Sequence, residues 1–126
     1  MQQQIQRLET ISLAIAASTR AIVALREQLS IIEANHVLDV QGAMNEQNKA
    51  QYPNEEVRKA ALTLRLADDE THRQLTLRMR DTESDRARHI AEHDRLRQEF
   101  KIYLLDRQEQ IARMGEGQPA AGYPYR

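Results

Sequence analysis

Apolar residues recur along the first third of the chain with a helical period. Leu8, Ile15, Ile22 and Leu29 fall at one heptad position, which His36 continues. Ile11, Ser18, Leu25 and Ile32 fall at the other, with Ser18 the one weak layer in about four heptads. Ile5, Leu13, Val23 and Ile31 add apolar positions beyond a two-stranded seam. We read them as widening the stripe, so that this helix is buried against more than one neighbour, with polar residues filling most of the opposite face. A helix over 3–41 is therefore expected, with a connection over 42–53. Gly42 is positioned to end the helix in the left-handed conformation, or the helix runs on through residues 43–51 as a frayed extension, and Asn, Gln, Lys and Tyr52-Pro53 make the remainder an exposed turn. A short extended piece at Val37, Leu38 and Val40 is a weaker alternative.

A second helical region follows over 54–113. Asn54 is a good N-cap, because its side-chain oxygen can accept from free N–H groups of the first turn. Glu55 and Glu56 place negative charge at the positive end of the helix dipole. Neither proline nor glycine interrupts the chain from there to Gly115. Val57, Ala60, Ala61, Leu64 and Ala67 can share a face, with Leu62 and Leu66 nearby. Asp68, Asp69 and Glu70 then come together, and Asp68 or Asp69 can cap a new helix, so the region admits either a kink or short break near 68 or a continuous helix with an acidic surface patch. The apolar pattern resumes at Leu75, Met79, Thr82 and Arg86, then Ile90, His93, Leu96 and Phe100. Residues 80–89 contain almost no apolar side chain, and a buried Arg or Asp there is costly unless paired, so this section is expected to be more exposed. Gly115 is read as a helix stop and 114–126 as a flexible tail.

These patterns predict an all-α protein: an elongated antiparallel helical hairpin or coiled coil forming one domain over 1–113 and assembling into a helical bundle. The expected packing seam consists of Leu8, Ile11, Ile15, Ile22, Leu25, Leu29, Ile32, Leu75, Met79, Leu96 and Phe100. One hairpin encloses little core, so a homo-oligomer is expected.

Composition sharpens this picture. The 126 residues include one Phe, no Trp and four Tyr, with 29% charged residues, which suits an elongated helical object better than a deep globular core. A formal net charge of −1 supplies no global attraction to nucleic acid or an anionic membrane. The absence of cysteine excludes disulfides and thiol chemistry. The N-terminus lacks the basic start and continuous apolar run of a signal peptide, and Arg20 and Arg26 interrupt the most apolar stretch. We therefore expect a cytoplasmic protein without a membrane partner.

Candidate chemistry is sparse. His89-Ile90-Ala91-Glu92-His93 fits the H-x-x-E-H pattern of inverted zinc peptidases, whose two His share one helical face. Neither Glu99 nor Asp106, further along the same helix, can fold back as a third ligand, and His36 or His72 could approach only through tertiary or intermolecular packing. These are read as ordinary helix histidines, with no metal and no cofactor expected. Adjacent carboxylates at 68–70 point apart on a helix and make a poor acid–base pair, so no enzyme is expected. Nucleic-acid binding is the alternative to protein contacts. The arm carries 13 basic residues, mostly Arg, of which Arg78, Arg86, Arg88 and Arg97 are the candidate contacts, but also 13 acidic residues. Aromatic stacking groups are nearly absent from it.

The stretch NEEVRKAALTLRLADDETHRQL, with the later HDRLRQEFK, resembles small coiled-coil proteins encoded by phages and other mobile elements. This resemblance covers residues 54–101 and implies a non-enzymatic accessory protein, in the setting of a recombination or replication gene cluster. It assigns no functional residues. The expected function is that of an oligomerising adaptor, assembly factor or inhibitor acting through another protein. Prefoldin-like arms around a small β platform would instead need strands at 37–40 and 62–66.

Overall fold

The computed structural model describes residues 2–117 and is all-α, with three helices: α1 (Gln2–Gly42), α2 (Glu55–Asp68) and α3 (Glu70–Gly117). The positions 37–40 and 62–66 are helical, and the one β feature among the described residues is an isolated bridge between Met44 and Ala50.

α1 packs chiefly on α3, and its C-terminal part on α2. The polar contacts between them run in a consistent order. Arg7 bonds Glu92 at 2.6 Å, Thr19 accepts from Arg86 Nε at 2.9 Å, Arg26 meets Glu83 at 3.4 Å and Glu33 meets His72 at 3.1 Å. Partner numbers fall as those of α1 rise, and Asp39 extends the series to Arg65 of α2 at 3.8 Å. The core between the helices is thin. Ile11, Ile22, Leu25, Leu29 and Val40 are buried from α1, with Ala61 from α2 and Leu96 from α3. Half-buried residues of α3 recur at heptad spacing: His72, Leu75, Met79, Thr82, Arg86, His89, His93 and Phe100. That spacing keeps one face of a long helix on its neighbour.

Several local expectations need correction. Gly42 ends α1 without a left-handed backbone; the left-handed residue is Asn48, with φ 62°. Asn tolerates that region because its short side chain bonds locally. The connection is a small closed turn around Asn45, whose Oδ1 accepts from Gln47 N and Lys49 N, both at 3.0 Å, while Gln51 N donates to Ala43 O at 2.9 Å. In α2 Ala61 is buried and Arg58, Leu62, Arg65 and Leu66 are half-buried, whereas Val57 and Leu64 are exposed. Of the five residues expected to share a face, only Ala61 is packed. Residues 80–89 are, as expected, mostly exposed, with only Thr82, Arg86 and His89 half-buried. The polar residues expected to fill the far side of α1 share it with Leu13, Val23, Ile31 and Leu38, all exposed. Finally, α3 continues through Gly115 to Gly117. An isolated glycine costs a helix only about 1 kcal/mol, which the rest of a long helix absorbs. Of the expected flexible tail, residues 118–126 lie outside the described residues.

Candidate interaction surfaces

Asn54 starts α2 in extended conformation, φ −126° and ψ 165°, and its Oδ1 accepts from Val57 N at 2.9 Å. At the other end, Asp69 stands outside both helices with φ −83° and ψ 104°. Its Oδ1 accepts from His72 N at 3.0 Å, capping α3, and its Oδ2 lies 2.7 Å from His36 Nε2. One residue therefore ends α2 through its backbone N–H, which donates to Leu66 O at 3.2 Å, while its carboxylate starts α3 and ties the junction to α1. The His36 hydrogen bond, reinforced by the His72 backbone N–H, holds the Asp69 carboxyl below its ordinary range. His36 Nδ1 is buried without a hydrogen-bond partner among the described residues. This junction was partly legible: His36 continues the α1 heptad, and Asp69 sits in the acidic cluster as a candidate cap. Their pairing was not legible, because it depends on how α1 and the junction align.

The HIAEH stretch lies within α3. His89 and His93 are half-buried toward α1, and Glu92 is held by Arg7, which keeps its carboxyl below the usual range. No group of three His, Asp or Glu side chains suited to a metal occurs among the described residues. The histidines serve here as seam residues.

The basic candidates do not converge. Arg86 is half-buried and donates to Thr19, while Arg88 pairs with Asp85. Arg78 and Arg97 are exposed. At 100° per residue, Arg86 and Arg97 share one side of α3, while Arg78 and Arg88 point in two other directions. They form no common stripe for a phosphate backbone.

Apolar surface is where the chain is unusual. The seam residues divide into Ile11, Ile22, Leu25, Leu29 and Leu96, which are buried, and Leu8, Ile15, Ile32, Leu75, Met79 and Phe100, which are half-buried. On the side of α1 turned away from them, Leu13, Val23, Ile31 and Leu38 are 71%, 53%, 62% and 64% exposed. A second exposed group, Ile102, Leu105, Ile111 and Met114, lies on α3 where it projects past the start of α1. Between the two, Leu8, His93, Arg97, Phe100, Lys101 and Leu104 line an open groove. α1 also contains an 18-residue window apolar enough to cross a membrane by length and composition.

Comparison with protein-family models, with curated proteins and with solved structures finds no match to this chain.

Proposed function

We propose that this chain is a non-enzymatic, self-associating protein, an antiparallel helical hairpin that acts through protein–protein contacts as an adaptor, assembly factor or inhibitor. The observation that carries this reading is the second apolar face of α1. A helix apolar on one side is satisfied by one neighbour, whereas a helix apolar on two sides needs another layer. The falling order of α1 partners, from Glu92 to Arg65, supports the hairpin. The resemblance over 54–101 supports an accessory protein of a mobile element, working in the cytoplasm.

Light scattering coupled to size exclusion, with and without a short single-stranded DNA, tests the reading. A stable dimer or larger assembly that ignores DNA is the expected result. A strict monomer at micromolar concentration overturns self-association. A DNA-dependent shift that falls steeply with salt, as counterion release demands, replaces protein contacts with a nucleic-acid role.

A further inference from the structure

We propose that the outer face of α1 pairs with the same face of a second copy, antiparallel, about a two-fold axis passing between Val23 and Ala24. This rests on the self-association reading above and specifies its interface.

Reading outward from the axis, Val23 and Ala24 are followed on both sides by a charge, an apolar residue and a second apolar residue. Toward the N-terminus these are Arg20, Ala16 and Leu13; toward the C-terminus they are Glu27, Ile31 and Ala34. The spacings match on the two sides, so all lie on one side of α1 at 100° per residue. An antiparallel copy therefore sets Arg20 against the partner's Glu27 and Glu27 against the partner's Arg20. It also sets Ala16 against the partner's Ile31 and Leu13 against the partner's Ala34. Each apolar layer joins a large side chain to a small one, which lets two backbones approach closely without overpacking. The last layer, Glu9 with the partner's Leu38, closes an interface spanning roughly 44 Å of helix.

The charges select this register. Neither Arg20 nor Glu27 makes an ion pair among the described residues, and both are exposed. Sliding the antiparallel copy by one heptad in either direction brings Arg20 against Arg20 of the partner subunit, or Glu27 against Glu27 of the partner subunit. Parallel pairing in register does both at once. Like charges on a desolvated seam are strongly unfavourable, so the parallel pairing and the one-heptad slips are disfavoured against this register. A polar pair inside an apolar stripe costs stability, and specifying orientation is the best-attested return for that cost. A lipid surface would find Arg20 and Glu27 in the middle of its contact face, which favours a second copy instead.

Charge exchange and cross-linking test this. Arg20→Glu and Glu27→Arg each place two like-charge contacts in the interface and are expected to weaken the dimer at least roughly tenfold. The double variant R20E/E27R restores it. Because the chain has no cysteine, Leu13→Cys/Ala34→Cys should form an interchain disulfide dimer on mild oxidation, whereas either single variant should not. The two positions are about 30 Å apart on one helix and cannot close within a chain. Circular dichroism of each variant checks that the helices persist. If the wild-type chain is a dimer but the single charge variants stay dimeric and the double cysteine variant stays unlinked, this interface is wrong and self-association stands. A monomeric wild-type chain removes both, and sedimentation of that monomer with phosphatidylcholine vesicles would reassign the face to lipid.

Discussion

α1 and α3 meet along the same seam, yet they contribute to it very differently. α1 supplies Ile11, Ile22, Leu25 and Leu29, all buried, and keeps a further set of large apolar side chains on its far side. α3 supplies one buried apolar residue, Leu96, and fills much of the remaining heptad with His72, Thr82, Arg86, His89 and His93. Over the length that it shares with α1, α3 is thus specified mainly for one neighbour, its exposed apolar residues lying chiefly beyond the start of α1 at Ile102, Leu105, Ile111 and Met114, whereas α1 has the composition of a central helix. The uneven division lets a weakly apolar helix be held in place by a strongly apolar one. It also explains why length and composition alone make α1 look able to cross a membrane.

The sharpest way to break this contrast is to truncate one residue on each side of α1. Leu29 is 7% exposed and Ile31 is 62% exposed, two positions apart on one helix. Leu29→Ala removes seam packing and is expected to lower unfolding free energy by about 2–4 kcal/mol, read by urea denaturation at fixed low concentration. Ile31→Ala is expected to change that value by less than about 0.5 kcal/mol, its effect appearing only in assembly. Equal losses at both sites would mean that α1 has no inner and outer face within the chain.

Much of this division was legible in the sequence. The heptads running from Leu8 to Ile32 and from Leu75 to Phe100 are arithmetic on the chain, and those residues are buried or half-buried. What the heptads could not show was the side of α1 taken by the remaining apolar residues. Ile5, Leu13, Val23 and Ile31 look like a broadened stripe in a linear count, but two full turns of helix place them opposite the seam. α2 shows the complementary limit. Its Val57 and Leu64 are more apolar than Arg58 and Arg65, yet they are exposed while the two arginines are half-buried. A pairing such as His36 with Asp69 depends on the register between elements, which no local pattern encodes.

A smaller effect is expected where α3 puts a cation into the seam. Arg86 reaches Thr19, but the Thr19 hydroxyl already donates to Ile15 O at 2.9 Å, so losing Arg86 leaves no orphaned hydroxyl. Arg86→Met replaces a half-buried charge with a flexible apolar side chain on the seam near Thr19. We expect a gain of about 1 kcal/mol in unfolding free energy, since exchanging such groups for packed apolar ones is often stabilising. A loss of similar size would show that the seam of α3 depends on its polar layers for stability and not only for alignment.

The smallest effect concerns the junction that aligns the two helices. The Asp69 carboxyl is held below its ordinary value near 3.8 by His36 and by the His72 backbone N–H. A carboxyl depressed in the folded state adds stability that is fully present above its unfolded value and is lost as pH falls through its folded value. Wild-type stability should therefore fall on acidification from about pH 4 downward, where the unfolded chain binds a proton that the folded junction resists. Glu92, depressed by Arg7, contributes in the same direction. Asp69→Asn keeps an oxygen able to cap α3 but no longer titrates. It should be less stable than wild type at pH 6 and show a shallower decline between pH 5 and pH 3 in urea-unfolding midpoints. Parallel declines in the two proteins would mean that the carboxylate is solvated as in the unfolded chain. The alignment of α1 on α3 would then rest on the apolar seam alone.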